Sequence, residues 1–224
     1  MEKKNLKIPF CCVNSEVLWK GEEALINALS IDKKIAQLNL DAIFTARLSD
    51  VPLIKAATNR IQVGITYHDS MKDKLKEIKK AGVDVLIFDG IDQVFKFTAL
   101  ERVINTANKL EFLILARVDN PLEIPKSLLK KIQIIKWKDN QSHEENSSLR
   151  KNEKSDILKI KNENPNLSII YGAKKISTDL ILNSLLKGMD GIGEYSQCKN
   201  TYENLDEMFY AIHDYKNVQE FINT

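Results

Sequence analysis

The chain is short of several features that would narrow its role at once. It has only 3 cysteines, Cys11, Cys12 and Cys198. An odd number with one adjacent pair is a poor disulfide framework, and reduced thiols of a cytosolic protein are the simpler reading. No uninterrupted apolar run approaches the roughly 18 residues that a membrane span needs. The opening Met1-Glu2-Lys3-Lys4-Asn5-Leu6-Lys7 has no long apolar segment behind its charges, so it does not read as a secretory signal. A cytoplasmic protein without a membrane partner is expected. Charge of one sign is missing too. The formal net charge is +2, lysines are spread over helices, and few aromatics interleave with them, which argues against nucleic acid as a partner. No glycine-rich dinucleotide fingerprint follows the first apolar run, where Gly21 stands alone, and no cofactor is expected. The histidines His68, His143 and His213 are scattered, which makes a metal site improbable.

What is present is a rhythm. The 224 residues, 43% hydrophobic and 29% charged, suffice for one large core. Eight short apolar runs recur, at Ile8–Val13, Leu40–Ala46, Ile61–Tyr67, Val83–Phe88, Phe112–Ala116, Ile132–Trp137, Leu167–Tyr171 and Met189–Ile192. Several are near-continuous in Val, Ile, Leu and Phe, which suits parallel strands covered by helices. Helical patterns lie between them. Asp69 or Ser70 can cap Met71–Lys80, which Gly82 follows; Thr98–Leu110 has helical spacing; Ser177 can cap Thr178–Lys187, which Gly188 ends; Leu205–Tyr215 repeats the device. The stretch Gln141–Ser148 reads as a polar loop. Alternation from end to end argues for βα units around a parallel sheet. The number of runs favours a closed (β/α)8 TIM barrel over an open doubly wound sheet. No linker interrupts the pattern, so residues 1–224 form a single TIM-barrel domain in this reading. Active sites of such barrels gather at the C-terminal ends of the strands. There the chain places Asn14-Ser15-Glu16, Asp89-Gly90 and Lys136.

Certain segments resemble the triosephosphate isomerase family over nearly the whole length. They are Ile8-Pro9-Phe10-Cys11-Cys12-Val13-Asn14, Val63-Gly64, Ile87 to Phe95, Ile170-Tyr171-Gly172 and Asp190-Gly191-Ile192. The resemblance implies a barrel that isomerises a triose phosphate in glycolysis. It places the catalytic positions at Asn14, Glu16, Asp89 and Lys136, and the phosphate grip at Gly172, Lys174, Gly191 and Ser196. Of the catalytic set only Asn14 matches the family. Glu16 stands where the family has a lysine, so the sign of charge is wrong for a developing enediolate. Asp89 stands for the histidine, and an ionised carboxylate is a poor donor to a carbonyl. Lys136 falls near the glutamate base. The third loop, Tyr67–Lys72, is short, and the fifth helix is reduced to about Lys126–Lys130. The short loop implies a monomer, or a dimer unlike the family's.

The expected function is therefore a divergent barrel of that family without normal isomerase activity, a pseudoenzyme that retains a small phosphorylated metabolite as ligand. Two alternatives stay open. One is an enzyme of changed chemistry, with a Schiff base between Lys136 and a phosphorylated aldehyde or ketone; such a lysine must be buried to work. The other is a true isomerase whose catalytic groups align differently. Each residue also has a commoner role: Lys136 a solvated charge beside Lys138 and Asp139, Asp89 or Asp92 a helix cap, Lys174 and Lys175 exposed lysines, His68 a loop residue, and Cys11 and Cys12 packing groups on opposite faces of the first strand.

Overall fold

The computed structural model describes residues 10–14, 36, 40–92, 97–138, 153–173, 178–194, 210 and 214. Eight parallel strands carry the fold. They are β1 Phe10–Asn14, β2 Ala42–Thr45, β3 Gln62–Thr66, β4 Val85–Asp89, β5 Leu113–Val118, β6 Ile134–Lys138, β7 Ser168–Ala173 and β8 Gly191–Glu194. Each pairs with the next, and β8 pairs with β1 through Phe10↔Gly191, Cys11↔Ile192 and Cys12↔Gly193, which closes the sheet.

Alternation along each strand sorts side chains to two faces. Cys12, Ala42, Phe44, Val85, Ile87, Leu115, Ile134 and Ile170 form one buried cluster, inside the barrel. Ile43, Val63, Ile65, Leu86, Phe88, Ile114, Ala116, Ile135 and Ile169 belong to the larger cluster, which packs under the helices. Those helices are α1 Asp50–Ala57, α2 Leu75–Lys80, α3 Phe97–Lys109, α4 Lys126–Leu129, α5 Glu153–Glu163 and α6 Thr178–Leu186. No described helix is long and apolar enough to cross a membrane.

The expectation of a (β/α)8 TIM barrel with a shortened third loop and fifth helix is corrected in its described helical layer, which also breaks up after β3. After β3 the chain makes a 3-10 segment, Asp69–Lys74, before the six residues of α2, where one helix over Met71–Lys80 was expected. After β5 it makes a 3-10 turn, Pro121–Glu123, and then only the four residues of α4. Proline explains the second case. Pro121 and Pro125 lack an N–H and push Asn120 and Ile124 into extended conformations, which stops a helix from propagating. Asn120 compensates by accepting a bond from the Leu122 N–H at 3.2 Å. Helix α1 was not expected at all. Its Pro52 sits in the first turn, where the missing N–H costs little, and Asp50 anchors that turn to the end of β2 by accepting from Thr45 Oγ1 at 3.0 Å.

The N-terminal rim repeats one device. The residue just ahead of β4, β6 and β8 (Asp84, Gln133 and Asp190) bonds the preceding strand twice. Its N–H donates to the carbonyl of Val63, Ile114 or Ile169, and its side chain accepts from the same residue's N–H. A helix side chain then closes the triangle. Lys55 meets Asp84 at 2.5 Å, and Lys161 meets Asp190 at 2.5 Å. At the third site the neutral pair Asn108 and Gln133 share the Lys131 carbonyl.

Candidate functional site

Lys136 sits in the middle of β6 on the inward face and is only 1% exposed. The reading of it as a solvated charge at the strand mouth is corrected. A long side chain fits inside a packed barrel only if neighbours give way. Two glycines on the next strands do so. A Cβ on Gly172 of β7 would stand 3.2 Å from Lys136 Cε, and one on Gly193 of β8 would stand 3.0 Å from both Cε and Nζ. The stem thus lies across β7 and β8. Its ammonium end reaches over the Phe44 ring, with Nζ 5.7 Å from the ring centroid. Phe44 is accommodated in the same manner, since a Cβ on Gly64 of β3 would stand 2.5 Å from its Cδ1. Cys12 Sγ completes the seat, 2.5 Å from the Cβ position of Gly193. The cysteine itself is buried and free of any disulfide.

On the neighbouring strand, directly paired with Lys136 in the register, Arg117 also points inward. It is buried, and its Nη2 donates to Thr66 Oγ1 at 2.6 Å and to Asp89 Oδ2 at 2.7 Å. Its Nε lies 2.6 Å from Asp89 Oδ1, although that N–H is not aimed at the oxygen. Asp89 is 46% exposed in its side chain, so the pair spans from the barrel interior to the opening. Strands β3, β4, β5 and β6 therefore each contribute one polar inward group near the C-terminal end: Thr66, Asp89, Arg117 and Lys136.

The other residues singled out from sequence have different fates. Asp92 does not join Asp89. It is buried after β4 and holds the loop after β5, accepting from the N–H groups of Asp119 and Asn120 at 2.9 and 3.0 Å. Its other oxygen has no partner. Trp137 ties the same loop through Nε1 to the Asp119 carbonyl at 3.1 Å. His68 precedes the 3-10 segment, and its carbonyl accepts from Met71. Gly172 lies in β7 and Gly191 opens β8. Asn14 ends β1. Glu16, Lys174 and Ser196 lie outside the described residues, as do His143, His213, Trp19 and Tyr195. Among the described residues no group of three or more His, Cys, Asp and Glu side chains could hold a metal ion.

Arg117, Thr66, Phe44 and Gly193 were missed in the sequence. A signal existed for the first. An arginine inside Leu-Ile-Leu-Ala-Arg-Val has no place in a core strand unless an acceptor meets it. Phe44 and Gly193 had no such signal, because their roles depend on residues of other strands, distant in sequence.

No family model matches this chain, and no curated protein matches its sequence. Its fold, by contrast, is common, with 639 chains of solved structures matching it, so likeness of fold alone cannot select an activity. One similar structure is native KDPGal, a KDPGal aldolase (10% identity, TM-score 0.64, covering 96% of this chain and 98% of the other). Another is N-acetylneuraminic acid (sialic acid) synthetase from Leptospira borgpetersenii serovar Hardjo-bovis in complex with citrate (14% identity, TM-score 0.69, covering 100% and 90%).

These findings overturn the assignment to the triosephosphate isomerase family. With it fall the glycolytic isomerase, its degenerate pseudoenzyme form and the realigned true isomerase, while an enzyme of changed chemistry is only loosely compatible with these neighbours. The geometry gives the physical reason. Asp89 is engaged by Arg117 rather than standing as a substituted histidine, and Lys136 crosses the barrel instead of taking a base's place at the rim.

Proposed function

We propose that this is an aldolase-like barrel that makes or breaks a carbon–carbon bond beside a carbonyl, with Lys136 as the amine nucleophile. The observation that carries the reading is the seat of Lys136: a fully enclosed lysine on the inward face of β6, given room by Gly172 and Gly193. A lysine desolvated in an apolar pocket is one of the recognised forms of an activated amine. Once deprotonated, its nitrogen adds to a carbonyl carbon. Loss of the carbonyl oxygen as water then leaves an iminium, which accepts the electron pair released when the neighbouring bond to carbon or hydrogen breaks. The enamine carbon then takes a proton or bonds to a second carbonyl carbon, which restores the iminium, and water returns the amine and frees the product.

The second polar group supports the same chemistry. Asp89, fixed by Arg117 and partly open to solvent, is a carboxylate placed to take and return a proton at the mouth. The clamp by Arg117 limits its motion, so the proton acceptor is preorganised. An aldolase stands among the solved structures of like fold, so the fold accommodates this chemistry without selecting it.

The test is reductive trapping. The intact chain is incubated with pyruvate, acetaldehyde or hydroxyacetone phosphate, treated with borohydride, and digested for mass analysis. An adduct on the peptide containing Lys136, absent in Lys136→Met, is the expected result. Labelling spread over surface lysines, unchanged by Lys136→Met, would remove the proposal.

A further inference from the structure

We infer that Phe44 sets the substrate class at this seat: carbonyl compounds with one small apolar substituent, hydrogen or methyl, and any charged end on the other side. The inference rests on the proposed amine chemistry of Lys136. Three observations lead to it. Among the described residues the Phe44 ring faces Lys136 Nζ, 5.7 Å away at its centroid, and it is 3% exposed. The ring has no retreat toward β3, because it already fills the space above Gly64, where a Cβ would collide at 2.5 Å. On the opposite flank Cys12 Sγ fills the space above Gly193. Below lie Ala42, Val85, Ile87, Leu115, Ile134 and Ile170, all buried and apolar.

A carbonyl carbon bonded to Nζ carries two substituents. One must lie toward this aromatic and aliphatic wall, and the other points to the C-terminal opening, where Arg117, Thr66 and Asp89 provide polar groups. A methyl against the ring keeps its dispersion contacts. A hydroxymethyl there buries a hydroxyl with no acceptor from the ring, a loss that corresponds to about tenfold or more in binding. A carboxylate or phosphate there is far worse. Aldehydes and methyl ketones whose reacting carbon lies on the side of the opening fit this description. Ketones flanked by two oxygen-bearing carbons do not.

The experiment compares hydroxyacetone phosphate with dihydroxyacetone phosphate, which differ by one hydroxyl on the side in question. Initial yields of borohydride-trapped adduct at Lys136 are measured for the native chain, Phe44→Leu and Phe44→Gln. The native chain and Phe44→Leu should favour hydroxyacetone phosphate by about tenfold, and Phe44→Gln, which offers a donor and an acceptor, should bring the ratio toward one. Equal yields from the two ketones in the native chain overturn the role of Phe44 while leaving amine chemistry intact. A ratio that persists in a folded Phe44→Gln does the same. Absence of any Lys136 adduct from either ketone, pyruvate or acetaldehyde removes the amine chemistry, and the inference with it.

Discussion

The two rims of this barrel treat charge in opposite ways. At the N-terminal rim each buried or half-buried carboxylate is tied down by a backbone N–H and a helix lysine, as at Asp190 with Ile169 and Lys161. At the C-terminal side Lys136 is placed by subtraction: the strands beside it lack side chains where it passes. The first arrangement adds bonds and fixes register. The second clears a path for a long side chain through the barrel interior. In αβ barrels the first kind of rim reads as structural and the second as catalytic.

That contrast can be broken most forcefully at Asp190. Asp190→Ala leaves the Ile169 N–H without its acceptor and the Lys161 ammonium with the Gly188 carbonyl but no counter-charge, and should cost about 3 kcal/mol in chemical denaturation while leaving trapping at Lys136 unchanged in the folded fraction. A loss under about 0.5 kcal/mol would show that the rim bonds are ornamental. Next comes the other rim. Gly193→Ala puts a methyl 2.5 Å from Cys12 Sγ and 3.0 Å from Lys136 Nζ. It should destabilise by about 2 kcal/mol and suppress the adduct. Adding Cys12→Ala should recover about 1 kcal/mol, since it removes the closest obstacle, and strict additivity of the two changes would contradict the shared-space picture.

Asp84→Ala sharpens the comparison within the lower rim. Its ion pair with Lys55 is about a third exposed on each side, so its loss should cost about 1 kcal/mol, less than at Asp190. An equal or larger loss would mean that exposure does not grade these clamps.

The smallest effect concerns Tyr67, which stacks on Phe88 with ring centroids 5.0 Å apart. Burial raises its phenol above the ordinary value of 10.0, with the Asp69 and Asp73 carboxylates adding to the shift. The unfolded chain therefore loses this proton first as the pH passes about 10, so the folded state binds more protons and stability declines with rising pH in that window. Below it the contribution is fully present. Tyr67→Phe should flatten that decline, as read by denaturation at several alkaline pH values, and an unchanged slope would contradict the assignment.

Much of the sheet was legible because burial on both faces writes a strand as an apolar run. The ends moved by a residue or two, as with β8, which begins at Gly191 rather than Met189, because Asp190 is spent on the rim bond to Ile169. Helix α1 was hidden by its brevity and its Pro52. The site was harder. Lys136 was seen but read as exposed, since nothing near it in sequence speaks of Gly172 or Gly193. Those glycines were themselves the trouble. Gly172 was taken for a phosphate loop, when its use here is to leave a path for a side chain from the neighbouring strand. The family resemblance drew on the same short glycine-bearing segments, which many barrels share.

A lysine housed in this fashion cannot be exchanged freely. Replaced by a small residue, it would leave a hollow bounded by Gly172 and Gly193, with the penalty that unfilled interior volume carries. Filled at either glycine first, the seat would be obstructed while the lysine was still in it. Any lineage leaving this arrangement must cross one of those two disfavoured intermediates, so the three positions are bound to one another as heritable traits.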